Sequence, residues 1–286
     1  MKAILLSTLK EMVRKKTFVV MFIVTVLYLI FWTVLLYHFN GSMINENVDG
    51  SFQALASALL FRTGLQFASM LICLLTIMLG AGTIASDLEN GLVLGIVSRP
   101  IKRSSYVLGK FFGVLLLIAL FGSILFFLLL LVGVVFSLST IVSLSFMQVL
   151  TGWLFFLTVP SAVLCLTIFG SVSLKTVPNG LLMIFIYILG NIGGMVEMIG
   201  QFINDTNVIS GGIFISLVSP FHTLYTTAER IMLPSSGIAG EMMRGMGGLS
   251  GSGSDPSVWM YLYIAVYAVG FVMLAVRKFG KTDINV

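Results

Sequence analysis

Six long apolar runs, separated by polar segments, dominate the hydrophobic pattern of this chain. A helix of about twenty apolar residues spans the hydrocarbon core of a bilayer, so each run predicts one membrane-spanning helix. No Asp, Lys or Arg falls inside the runs, and Glu197, near the end of the fifth, is their only acidic residue. The pattern therefore predicts an all-α, polytopic membrane protein with one transmembrane domain over residues 1–286. The six predicted spans are residues 17–37, 64–85, 111–136, 149–170, 179–199 and 258–276.

The basic residues predict how these spans are oriented. With the N-terminus placed in the cytoplasm, all but three of the 16 Lys and Arg residues fall in cytoplasmic segments; the exceptions are Arg62, Arg230 and Arg244. Cytoplasmic loops of membrane proteins carry such an excess, so both termini are predicted to be cytoplasmic. Only 9% of the residues are charged and 58% are hydrophobic, which excludes a water-soluble domain. The net charge of +5 therefore indicates contact with membrane lipid and no nucleic-acid partner.

Residues 1–16 predict an amphipathic helix that lies in the membrane interface. Leu5, Leu9 and Met12 share one face at helical spacing, whereas Lys10 and Arg14 lie towards the other. Helices with an apolar stripe and a basic face bind at the boundary between lipid headgroups and acyl chains.

A second short helix is predicted in the cytoplasmic segment 86–100, between the second and third spans. Ser86 followed by Glu89 matches a capping box, in which each side chain bonds the backbone N–H of the other residue. Pro100 is expected to end the helix, because the residue before a proline is disfavoured in the α conformation. Its apolar positions need a cover, which lipid headgroups or a partner protein could supply; they are Leu88, Leu92 and Ile96.

The longest connection, residues 200–257, is predicted to be extracytoplasmic. Residues 211–218 are apolar but too few to cross a bilayer, which favours a re-entrant or interfacial helix. Pro220 is expected to end that helix.

Two pairs of small residues at a four-residue interval, Gly109 with Gly113 and Gly190 with Gly194, permit close helix packing. Each pair could serve packing within the chain or a seam between two copies, and the weak motif favours packing within the chain.

Residue patterns that carry enzyme chemistry are missing from the sequence. It contains no phosphate-binding loop of the form Gly-x-x-x-x-Gly-Lys-Ser/Thr, so the chain is not expected to hydrolyse ATP. It also lacks His-Glu-x-x-His and any metal-type Cys/His spacing, so no catalytic site, cofactor or metal is expected. Asn191 and Glu197 are the candidates for a substrate path through the spans. Because ionisable residues are so scarce there, the driving force is expected to come from outside the membrane.

The segment from Ser86 to Gly113 resembles the ABC type-2 transporter permeases. The six-span layout, the amphipathic N-terminus and the basic C-terminal end are similar as well, and within the family the sequence is most similar to the NosY-like branch. The motifs that carry the resemblance are Glu89-Asn90-Gly91, Ser98-Arg99-Pro100 and Leu108-Gly109-Lys110, with Ser219-Pro220 in the long outer loop.

This resemblance implies a function. Permeases of the family pair in the membrane, and each couples through a cytoplasmic helix to a separate ATP-binding-cassette ATPase subunit. The chain is then expected to be the permease of an ATP-driven exporter in the plasma or inner membrane, working as a permease dimer. On the residues alone, a non-transporting membrane scaffold or assembly subunit and an ion-coupled secondary transporter stay open. Carried over position by position, the coupling residues would be Asp87, Glu89, Gly91, Leu92, Ser98, Arg99 and Pro100.

Overall fold

The computed structural model describes residues 2–45, 50–92, 103–136, 138–142, 144–233 and 258–281. Within these ranges the regular structure is entirely helical, which confirms the predicted all-α class. The described helices are α1 (Lys2–Arg14), α2 (Lys16–Asn45), α3 (Gly50–Ala81), α4 (Ala85–Glu89), α5 (Arg103–Val135), α6 (Ser139–Val142), α7 (Phe146–Ser173), α8 (Thr176–Ile203), α9 (Thr206–Val218), α10 (Phe221–Met232) and α11 (Val258–Lys281).

Six helical segments in the described ranges are long and apolar enough to cross a membrane, which confirms the predicted number. They lie in α2, α3 with α4, α5, α7, α8 and α11. Two of them begin well before the predicted spans, since α3 includes Arg62 and α5 includes Lys110. Both cations form ion pairs with carboxylates, so they can lie inside helices. The charge pattern had therefore placed the starts of these two helices too late in the sequence.

The centre of the bundle is α3. In its most apolar window 72% of the residues are buried inside the protein, against 17% in α2 and 11% in α11. α3 packs against α5, α7 and α8, and their shared core includes Ile72, Phe126 and Phe156. α2 and α11 expose long rows of apolar side chains, as expected for helices that face lipid.

The N-terminal helix α1 packs along α5. A Cβ atom at Gly113 of α5 would lie 2.8 Å from Cβ of Thr8, so this glycine permits the close approach that its spacing predicted. Met12 is fully buried, while Leu6 and Val13 remain exposed. The apolar stripe of α1 is thus covered partly by protein, and its location in the membrane interface stays a prediction.

The predicted capping box at Ser86 and Glu89 was wrong. α4 begins at Ala85 and ends at Glu89, so Ser86 lies inside it, where its hydroxyl donates to the carbonyl of Gly82. Glu89 does not reach back to cap α4 and instead contacts Thr176. A turn through Gly91, with φ of +69°, follows α4. The rest of the predicted 86–100 helix, residues 93–100, lies outside the described residues.

The first part of the predicted 200–257 loop forms a bent pair of helices, α9 and α10, whose axes differ by 102°. A helix is confirmed at 211–218, but it starts at Thr206, where the side chain of Asp205 accepts a hydrogen bond of 2.8 Å from the N–H of Asn207. Its re-entrant or interfacial location stays a prediction. Pro220 follows α9 and serves as the N-cap residue of α10. Residues 234–257 of the loop lie outside the described residues.

Glycines of α8 form the surface on which α9 and α10 pack. Cβ atoms at Gly190 and Gly193 would lie 2.8 Å from the carbonyl oxygen of Ser219 and 3.0 Å from the backbone nitrogen of Ser216. A Cβ atom at Gly194 would clash with the ring of His222. The pair Gly190 and Gly194 therefore serves packing within the chain.

Gly212→Ala is expected to destabilise the protein by about 1–3 kcal/mol, because its methyl group would lie 2.8 Å from Cα of Glu197 and push α9 away from α8. Gly211→Ala is the matched control, since a Cβ atom there meets no atom within 4 Å. The control should stabilise α9 by up to about 1 kcal/mol through helix propensity. Thermal unfolding in detergent measures both, and equal shifts would contradict the close packing of α9 on α8.

Candidate functional site

A buried lysine joins three elements at the end of the bundle where α4 lies. Nζ of Lys110, near the start of α5, lies 2.9 Å from a carboxylate oxygen of Glu11 on α1 and 2.9 Å from one of Asp87 on α4. The hydroxyl of Tyr106 donates a second hydrogen bond to Asp87. The side chains of Lys110 and Asp87 are only 7% and 9% exposed, so the two charges compensate each other away from water.

The charge balance of this cluster favours the ionised form of Glu11. Burial raises the pKa of Glu11, but the hydrogen bond and attraction of Lys110, together with Lys15 at 3.1 Å, lower it by more, so the net pKa lies below its usual value. The contacts of Glu11 therefore contribute stability at neutral pH, and this contribution is lost as the pH falls through the lowered pKa.

The start of α4 is held by α7. Oγ of Ser171 accepts hydrogen bonds from the N–H groups of Ile84, at 3.0 Å, and Ala85, at 2.9 Å. The first N–H groups of a helix have no partner inside that helix, so they need one from elsewhere. Ser171 is fully buried and supplies it, which explains why α4 forms without a cap from its own sequence.

The end of α4 is held by α8. One carboxylate oxygen of Glu89 accepts from the backbone N–H of Thr176 at 2.7 Å, and the other from its hydroxyl at 3.3 Å. Thr176 is the first residue of α8, where a negative charge also suits the helix dipole. Buried Asn179 adds bonds of 3.3 Å to the carbonyl of Ala81 and 3.1 Å to that of Thr167.

The C-terminal end of α11 lies at the same end of the bundle. The guanidinium of Arg103 donates to the carbonyl of Gly280 at 3.1 Å, and the ring of Phe279 stacks on Tyr106 with centroids 5.5 Å apart. The C-terminal ends of α1 and α11 therefore lie at the same end of the bundle, near α4. A chain with both termini on one side of the membrane requires this arrangement. The assignment of this end to the cytoplasm stays a prediction of the charge pattern.

The predicted coupling residues occupy different positions in this arrangement, which we call the α4 junction (Glu11, Asp87, Glu89, Tyr106, Lys110, Ser171 and Thr176). Asp87 and Glu89 bond α4 to its neighbours in the junction. Gly91 forms the turn that follows α4, and Leu92, after that turn, is 58% exposed. Ser98, Arg99 and Pro100 lie outside the described residues.

The candidate path residues Asn191 and Glu197 are both on α8, away from the junction. Asn191 donates to the carbonyl of Tyr187 at 2.9 Å, and Glu197 lies against Gly212 of α9. At about 1.5 Å per residue, Asn191 and Glu197 lie roughly 22 and 32 Å along α8 from Thr176 of the junction.

A second buried ion pair, which the sequence did not predict, lies in the other half of the bundle. Arg62 of α3 pairs with Glu229 of α10, whose side chain is 1% exposed, and the hydroxyl of Tyr225 donates to the carbonyl of Arg62 at 3.3 Å. At about 1.5 Å per residue, Arg62 lies about 28 Å along α3 from its end near α4. A usable signal was the helical spacing of Tyr225, Glu229 and Met232, which puts the glutamate on an otherwise apolar face of α10, since a buried acid needs a cation.

These contacts define a class of protein: a multi-pass helical membrane protein in which a short helix at the end of the second span is bonded to three other helices. A family model described as "ABC-2 family transporter protein" matches residues 3–284. The chain therefore belongs to the ABC-2 family of transporter proteins, as a membrane permease component; this family works with an ATP-binding subunit. A comparison with curated proteins finds no significant match. The family resemblance is confirmed, and the NosY-like branch stays a prediction.

Proposed function

We propose that the chain is the permease subunit of an ATP-driven exporter in the plasma or inner membrane. A separate ATP-binding-cassette subunit docks at residues 87–100, and two permease copies form the pathway between them. The observation that carries this proposal is the α4 junction, which lies beside the predicted docking residues in a chain of the ABC-2 family.

The junction suits the transfer of movement from a docked subunit. α4 is only five residues long, and it is bonded at its start to α7, at its end to α8 and through Asp87 to Lys110 of α5. Lys110 in turn pairs with Glu11 of α1. A displacement of α4 would therefore shift four helices together. ATP binding drives such a shift if the ATP-bound subunit fits one arrangement of the helices better than the other.

The exposed apolar part of the docking surface begins immediately after α4. Leu92 exposes 58% of its surface next to the turn at Gly91, and an exposed leucine beside charged and polar residues is well placed for a protein partner. Ser98, Arg99 and Pro100 are proposed to extend this surface, and Asn191 and Glu197 are proposed to line the substrate path.

Leu92→Ser should abolish copurification of the ATP-binding subunit while membrane insertion and thermal unfolding stay unchanged, because Leu92 has little burial to lose. The measurement is affinity purification from membranes followed by mass spectrometry for a chain with a phosphate-binding loop, and ATPase activity of the purified complex. Leu6→Ser on α1, where Leu6 is 57% exposed, is the matched control.

Retention of the ATPase subunit and its activity in Leu92→Ser would contradict docking at this position. The alternatives give other results. A scaffold would show no ATPase partner in the wild-type purification. An ion-coupled carrier would keep transporting after ATP depletion and would stop when the proton gradient collapses.

A further inference from the structure

An open apolar cavity of about 380 Å³ lies between α7, α8, α9 and α11. Leu166 of α7 and Leu217 of α9 form part of its wall, and α11 contributes Tyr263, Tyr267 and Phe271. The Tyr263 hydroxyl donates to the carbonyl of Leu217 at 2.7 Å, so this polar atom is satisfied and the ring presents apolar surface. The cavity therefore suits a hydrocarbon chain better than a polar solute.

A continuous row of rings connects the cavity to a cation at the C-terminal end of α11. The ring centroids of Tyr267 and Phe271 are 4.6 Å apart, and those of Phe271 and Phe169 are 5.3 Å apart. Nζ of Lys278 then lies 5.8 Å from the centroid of the Phe169 ring. From Lys278 to Tyr267 the helix rises about 16 Å, a distance that an extended acyl chain can follow.

The charge at this end of α11 is positive. Arg277, Lys278 and Lys281 are exposed in its last turns, and Arg103 lies against the carbonyl of Gly280. The exposed basic group is therefore complementary to an anionic headgroup.

We propose that this groove binds an anionic phospholipid, with its headgroup at Arg277 and Lys278 and one acyl chain running past Phe169 and Phe271 into the cavity. The bilayer is as apolar as the cavity, so the acyl chain gains van der Waals contacts with the cavity wall on entering it and little hydrophobic free energy. The headgroup charge therefore gives the selectivity between lipids, and the packing of the acyl chain in the cavity adds to the affinity.

The test measures lipid binding by native mass spectrometry on the full chain, purified in mild detergent with the subunits it retains. Phosphatidylglycerol and phosphatidylcholine with the same acyl chains are titrated separately, and the anionic lipid should bind more tightly. Arg277→Gln with Lys278→Gln should weaken phosphatidylglycerol binding about fivefold for each charge removed. Lys10→Gln with Arg14→Gln, an equal change on exposed residues of α1, should leave it unchanged.

A second pair of variants tests the cavity. Leu166→Phe fills part of it and should reduce phosphatidylglycerol binding, whereas Leu27→Phe, on the exposed face of α2, should not. Thermal unfolding checks that both variants fold. Equal affinity for the two lipids, or wild-type affinity in Leu166→Phe, would overturn the proposal. Neither outcome bears on the docking of the ATP-binding subunit at Leu92, so the two proposals fail separately.

Discussion

Lys110→Met should destabilise the protein by about 3–5 kcal/mol, because it leaves the carboxylate of Asp87 buried without its cation. Asp87 is only 9% exposed, and the hydroxyl of Tyr106 alone does not neutralise it. The two free cysteines, Cys73 and Cys165, are buried, so their reaction with a thiol-sensitive dye during heating reports unfolding.

The control for this prediction is Lys175→Met, an identical change at an exposed lysine between α7 and α8. Asp87→Asn combined with Lys110→Met should recover part of the lost stability, since the uncompensated charge is then absent. If Lys110→Met unfolds at the same temperature as the Lys175→Met control, the ion pair does not hold the junction together.

Arg62→Met should have a comparable effect, about 3–5 kcal/mol, in the other half of the bundle. Glu229 is 1% exposed and would lose its cation, so the anchoring of α10 on α3 would weaken. Hydrogen exchange should accelerate across Thr206–Met232 before it accelerates in α3, because α9 and α10 are the elements that the pair holds in place.

Arg14→Met is the matched control, since Arg14 is exposed at the end of α1. Glu229→Gln added to Arg62→Met should restore part of the stability, and the difference from the sum of the single changes gives the coupling of the pair. Unchanged exchange in α9 and α10 of the Arg62→Met protein would show that the bent helices are anchored by their glycine contacts alone.

The number of spans was predictable because it follows from the length of apolar runs, which depends on composition alone. The starts of α3 and α5 were not predictable, because Arg62 and Lys110 resemble the charges that mark the end of a span unless their ion-pair partners are known. Those partners, Glu229 and Asp87, are far along the chain or on another helix, and no local pattern records the pairing.

The candidate site was predictable in its location and not in its contacts. Asp87 and Glu89 stood out as acids in a short segment between two spans. Spacing suggested that Glu89 caps α4, whereas its partner Thr176 lies 87 positions along the chain. The spacing of Ser86 and Glu89 allows a capping box. Thr176 at the N-terminus of α8, however, offers Glu89 both a backbone N–H and a hydroxyl. The sequence around position 86 does not reveal this competing partner.

The ion pair between Arg62 and Glu229 also has a consequence for biosynthesis. Ribosomes make Arg62 early, and Glu229 follows only after most of the remaining spans, roughly ten seconds or more later at ordinary rates of elongation. Throughout that interval the nascent α3 carries a cation in or near the bilayer without its acid. A chain released before α10 is complete would therefore carry Arg62 without its acid, and α3 would lack the contact that ties it to α10.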